Sequence, residues 1–161
     1  MPNVYTHYFT GLTALQKLPE ALAETIDFEA YRFGLQGPDF LFYYNTAPLR
    51  PNVRIPALGS AVHRRNVGEF FSACIEFIQL QRGEKRKIAA SYFAGFLGHY
   101  ALDTTAHPYV YYFSARSSSY HTLLETLMDV QLLTLYGETR FGLPAHEIVA
   151  FMLGIWAVSG G

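Results

Sequence analysis

The stretch Gly95-Phe96-Leu97-Gly98-His99-Tyr100-Ala101-Leu102-Asp103-Thr104-Thr105-Ala106-His107-Pro108 decides the fold. Its polar groups His99, Asp103 and His107 recur every fourth residue in an otherwise apolar, nearly charge-free segment. On a helix each step of four turns by about 40° and climbs by about 6 Å, so the three side chains form one narrow stripe. Such a stripe faces inward. Burying two imidazoles and a carboxylate among Phe, Leu, Ala and Tyr costs several kcal/mol unless each finds a partner, and a metal ion suits all three. His99 and His107 stand about 12 Å apart along the axis, too far to share one ion, so the spacing implies at least two.

The rest of the chain is helical in pattern as well. Leu12, Leu15 and Leu18 start an apolar stripe, and Pro19 opens a second helix through Ala21, Leu22, Ala23 and Ile26. A short helix is expected from Phe28 to Leu35, and then a main loop from Gly37 to Gly59 with four prolines. Helices follow over Asn66 to Gln81, ended by Gly83, and over Glu84 to Ala106, stopping before Pro108 because the residue preceding proline avoids helical geometry. Tyr109 to Ser118 reads as an aromatic connector. Ser118 or Ser119 then caps a helix to Tyr136, closed by Gly137, and a last helix starts near Pro144. No alternating strand pattern and no internal repeat is present. The expected fold is an all-α, single-domain helical bundle over residues 1–161.

Composition narrows the function. With 161 residues, half of them apolar, the chain suits one well-buried domain. A net charge of −1 gives no footprint for duplex nucleic acid. The basic cluster Arg82 to Lys87 reads as a solvated helix junction, and the single cysteine, Cys74, as a small buried hydrophobe. No stretch reaches the roughly 20 apolar residues of a transmembrane helix. The start, Met1-Pro2-Asn3-Val4, shows no secretory signal, so a cytoplasmic location is expected.

Further ligand-type residues surround the stripe. His121 and Glu125 repeat its four-residue spacing one helix later, a pair able to grip one ion. Asp39 follows Gly37-Pro38 in an aromatic setting, and His63 sits at the end of the main loop, just before a helix. Only His146 reads as an ordinary surface or capping histidine.

Tyr5-Thr6-His7, Gly37-Pro38-Asp39, His63, His99 with Asp103 and His107-Pro108, and His121 with Glu125, in that order over residues 1–136, resemble the bacterial zinc-dependent phospholipase C family. The single-strand-specific zinc nucleases share that fold and metal cluster. The resemblance implies two or three zinc ions. One is held by Asp39, His63, His99 and Asp103, a second by His107, His121 and Glu125, and a third by His7, a bridging Asp103 and the chain's own N-terminus. The family presents an N-terminal tryptophan at that third ion. Here removal of Met1 leaves Pro2, whose amine and carbonyl are expected to take its place. The resemblance further implies a phosphodiester substrate, such as a phospholipid, attacked by water with Asp39 as ligand and general base. Arg64 or Arg65 is a candidate phosphate contact. Val4, Phe40 and Ser60 do not reproduce the choline-binding box of the family, so no phosphocholine preference is expected. A nuclease or nucleotidase on the same scaffold, and a non-catalytic metal-binding domain, are the alternatives. The chain ends at Gly161, shorter than the family leads one to expect, so part of the substrate wall is expected to be absent.

Overall fold

The computed structural model describes residues 4–43, 54–64, 67–115 and 117–136. Its helices are α1 (Val4–Gln16), α2 (Glu20–Ala23), α3 (Phe28–Gly34), α4 (Arg54–Arg64), α5 (Val67–Leu80), α6 (Gly83–Ser114) and α7 (Ser118–Tyr136), with a 3₁₀ turn at Asp39–Tyr43. Among the described residues there is no strand. The all-α expectation holds. Within the same residues, no helix is long and apolar enough to cross a membrane.

The axis of the molecule is α6, 32 residues and about 48 Å long. Helices α1, α3, α5 and α7 all pack on it, and α4 joins the 3₁₀ turn. The core is Tyr8, Phe9, Leu12, Tyr31 and Leu35, with Leu132 and Leu133 of α7 packed against it. Glycine brings α3 and α6 into backbone contact: a β-carbon at Gly95 would stand 2.1 Å from the Tyr31 carbonyl oxygen, and one at Gly34 would stand 2.0 Å from that of Tyr92. Asp27 caps α3 by accepting the Ala30 N–H at 2.8 Å.

Several boundaries differ from the sequence expectation. Helix α6 runs through Pro108 to Ser114, so the aromatic connector is helical from Tyr109 to Ser114. A proline inside a helix costs about 3 kcal/mol. Beyond it, however, Val110 is 1 % exposed and Ser114 fully buried, and this packing offsets the cost. The helix instead ends at Ala115, in left-handed geometry with φ 48°, and Ser117, not Ser118 or Ser119, caps α7 by accepting the Tyr120 N–H. Helix α1 starts at Val4, ahead of the leucine stripe, and α4 occupies the end of the expected loop. In α4, Pro56 lies in the first turn, where its missing N–H has no partner to lose. Gly83 does not end α5: it is the first residue of α6, with φ 54°. Cys74 is half-buried, because α5 has no fully buried residue and lines an apolar groove of about 680 Å³ instead of the core. The middle of the expected main loop, residues 44–53, and the helix from Pro144 with its histidine, His146, lie outside the described residues, as do Pro2, Arg65 and Gly137.

Candidate metal centre

Five elements bring the polar side chains together, and all of them but His7 and His99 line one cavity. His7 comes from the buried face of α1, Asp39 from the start of the 3₁₀ turn, and His63 from the last turn of α4, not from a loop. His99, Asp103 and His107 form the expected stripe on α6, and His121 and Glu125 come from α7. His7, Asp39, His99 and Glu125 are each at most 5 % exposed. A cavity of about 740 Å³ opens over the group, with Phe42, Tyr100 and Tyr111 in its wall.

The local backbone is shaped for this convergence. Gly37 has φ 53°, and a β-carbon there would stand 2.2 Å from His99 Cδ2. Only glycine lets the turn lie against the imidazole while Asp39, two residues on, reaches the same ring. At the other end Tyr111 packs on His107 and His121, with ring centroids 5.5 and 5.0 Å away.

Asp103 is the hub. Its Oδ1 stands 3.3 Å from His7 Nε2 and 3.4 Å from His107 Nδ1, and its Oδ2 stands 3.3 Å from His99 Nε2 and 3.7 Å from His63 Nε2. Asp39 Oδ1 lies 3.0 Å from His63 Nε2, and Asp39 Oδ2 lies 3.9 Å from His99 Nε2. Glu125 Oε1 is 2.9 Å from His121 Nε2 and 3.4 Å from His107 Nε2. Three sets emerge in which the donor atoms lie within 4.8 Å of one another: His7, His99 and Asp103; Asp39, His63 and His99; and His107, His121 and Glu125. All eight side chains named from the sequence are therefore brought together. His99 stands in two of the sets, its ring stacked on that of His7 at 3.9 Å.

Two observations test whether these residues suit a cation. First, Nδ1 of His63, His99 and His107 faces the carbonyl oxygen of Gly59, Leu35 and Asp103 at 2.8, 3.2 and 3.0 Å. A carbonyl only accepts, so Nδ1 carries a proton, and Nε2 points at carboxylate oxygens, which also only accept. A second proton or a metal cation must stand between them. Second, His63–Asp39 and His121–Glu125 pair at hydrogen-bond distance, 3.0 and 2.9 Å, whereas His7–Asp103, His99–Asp103 and His107–Glu125 pair at 3.3, 3.3 and 3.4 Å. The longer three exceed the usual length of a charge-assisted hydrogen bond, about 2.7–2.9 Å. Two ligands about 2.0–2.1 Å from one tetrahedral zinc stand about 3.4 Å apart. His7 Nδ1 and His99 Nε2 are moreover buried without a hydrogen-bond partner. The donor set fits zinc.

Electrostatics agree. Burial works to raise the Asp103 carboxyl, but the facing imidazoles of His7 and His99 outweigh it and hold that group far below the carboxylate range. Burial lowers His7, and Asp103 only partly offsets this. Burial also works against charge on His63, yet the bonds to Asp39 and the Gly59 carbonyl and the charges of Asp39 and Asp103 lift it above its ordinary value. For His107 the hydrogen bond to Glu125 outweighs burial and raises it.

One residue at the site escaped the sequence reading. Asp129 completes a His121-x-x-x-Glu125-x-x-x-Asp129 stripe on α7. The four-residue repeat of His121 and Glu125 extends one step further, to a residue that stands in none of the three donor sets. Arg64 ends α4, and its side chain lies outside the described residues, as does Arg65.

A helical bundle that gathers His, Asp and Glu into three groups able to hold a metal ion defines a metal-binding protein. The zinc dependent phospholipase C family matches residues 6–155, and the chain belongs to that family. No curated protein and no solved structure matches it.

Proposed function

We propose that the protein is a zinc-dependent phosphodiester hydrolase of phospholipase C type. Family membership and one observation support this reading: Asp103 turns Oδ1 to His7 Nε2 and Oδ2 to His99 Nε2 and His63 Nε2, as a carboxylate bridging two ions requires. Asp39, His63, His99 and Asp103 hold one ion and His107, His121 and Glu125 a second. His7 and Asp103, with the amine and carbonyl of Pro2, hold a third. Bound zinc supplies an acidified water and positive charge against the phosphoryl oxygens.

The chain's own groups supply the rest. Asp39 is 3 % exposed yet lines the cavity, so one of its carboxylate oxygens can accept the proton of an attacking water. Phe42, Tyr100 and Tyr111 give the cavity an apolar wall that suits a lipid ester. A choline headgroup finds no anionic partner at Val4, which is buried in α1.

Elemental analysis and turnover test the reading together. Freshly prepared protein is expected to hold at least two zinc ions per chain and to hydrolyse a generic phosphodiester. Asp39→Asn should abolish turnover with metal content preserved. Fewer than two ions in the wild type sinks the hydrolase, and full occupancy without turnover points to a non-catalytic metal-binding domain. Phospholipid and single-stranded DNA, offered side by side, separate a phospholipase from a nuclease.

A further inference from the structure

Asp129 stands one helical turn beyond Glu125 on α7, the position a third ligand of that helix would take. Its oxygens are committed elsewhere. Oδ1 accepts the Thr6 backbone N–H at 2.8 Å and the Thr6 hydroxyl at 2.6 Å, and Oδ2 accepts the Tyr5 N–H at 3.2 Å. Tyr5 and Thr6 belong to the first turn of α1, whose N–H groups have no partner within the helix. Asp129 therefore caps α1 from a different helix, 123 positions away in sequence. The next residue is His7, and Asp129 belongs to the helix that also carries Glu125 and His121.

The geometry points to Asp129 as a positioning residue that fixes His7 against Asp103 by clamping the first turn of α1 to α7. It is not itself a metal ligand. Three considerations carry this. A carboxylate with three protein donors has little acceptor capacity left for a cation. His7 has no hydrogen bond at Nδ1, so its own ring is not anchored the way His63, His99 and His107 are by backbone carbonyls. The placement of its Nε2 depends on the backbone of α1, and the Asp129 bracket holds that backbone. The bracket also spans two of the three donor sets, joining the helix of His7 to that of His121 and Glu125. The inference rests on the metal reading above.

Titration of the metal-free full chain with zinc alone, against a competing chromophoric chelator, provides the test. Partners that orient a ligand typically account for about 10–100-fold in metal affinity. Asp129→Asn, which sets an amide against backbone N–H groups, is expected to weaken one class of zinc by that factor and leave the others unchanged. In a His7→Ala background it should add nothing, because the ligand it positions is gone. Equal weakening in both backgrounds, or of all zinc classes alike, would show a general structural role and overturn the inference. If Asp129→Asn does not fold, Thr6→Val decides: it removes only the hydroxyl donor and should weaken the same class to a smaller extent, with Thr6→Ser restoring it. Wild-type affinity in Thr6→Val then overturns the inference. A wild-type chain that takes up no zinc overturns the metal reading and this inference with it. Normal uptake that Asp129→Asn leaves untouched overturns the inference alone.

Discussion

Gly37 lies against the imidazole of His99 so closely that a β-carbon at residue 37 would meet Cδ2 at 2.2 Å. The contact joins the two halves of the site. Through it the Gly37-Pro38-Asp39 turn is seated on α6, and Asp39 and Asp103 reach the same His99 Nε2, at 3.9 and 3.3 Å.

Gly37→Ala should therefore damage fold and site together. A left-handed backbone costs alanine about 1–2 kcal/mol. Overlap with the ring adds a packing cost, for a combined loss of roughly 2–4 kcal/mol. Urea denaturation of the metal-free protein reads the loss, and zinc affinity should fall alongside it. Wild-type affinity in a destabilised Gly37→Ala protein would disconnect the turn from the site.

Two glycines one turn apart on α6 should behave differently. At Gly95 a β-carbon meets the Tyr31 carbonyl oxygen at 2.1 Å, a backbone atom that cannot swing away. At Gly98 the nearest atom is Leu35 Cδ2 at 3.3 Å, the end of a flexible side chain. Gly95→Ala is expected to cost about 2 kcal/mol or more by forcing α3 from α6. Gly98→Ala should be near neutral, since the gain in helix propensity, about 1 kcal/mol, offsets a slight crowding. Comparable denaturation midpoints for the two variants would contradict the close packing of α3 on α6.

The pH dependence of the site should change sign with metal. In the metal-free protein the folded state raises His63 above its ordinary value, so the stability this residue contributes is fully present below about 6.5 and is lost as pH rises through the folded value. His107 behaves alike. His7 is lowered by burial, so it opposes folding as pH falls below about 6.5. With zinc bound the rings must be neutral, and the contribution of His63 should grow with rising pH. Melting temperatures of wild type and His63→Ala across pH 5–8, with and without chelator, read the difference between the chains. It should shrink with pH in the metal-free pair and widen in the zinc-loaded pair. The same slope in both would argue against His63 as a ligand.

The stripe on α6 was legible because burial leaves a four-residue polar repeat no other explanation, and the helical period carries it directly into three dimensions. His63 and Asp39 were legible as residue types but not as positions. The helix that presents His63 begins within a proline-rich run, and Pro56 signals a break unless its place in the first turn is known. Pro108 misled in the opposite direction. Val110 and Ser114 are buried beyond it, and local propensity contains no term for burial. Asp129 was hidden for a related reason. The hydrogen bonds that define it run to backbone N–H groups of Tyr5 and Thr6, and a backbone partner leaves no residue-type signal.

Asp103 should prove the most costly ligand to remove. Its Oδ1 faces His7 at 3.3 Å and its Oδ2 faces His63 at 3.7 Å, and these two imidazoles belong to different donor sets. Glu125 turns a single oxygen, Oε1, to both His107 and His121 and belongs to one set. Asp103→Ala is accordingly expected to lose close to two equivalents of zinc and Glu125→Ala one, by elemental analysis after gel filtration. His7→Ala and His63→Ala should each lose no more than one. Asp103→Asn separates charge from geometry, because an amide retains one oxygen able to ligate and should lose less metal than Asp103→Ala. Loss of only one equivalent in Asp103→Ala would remove the bridge and leave Asp103 as an ordinary terminal ligand.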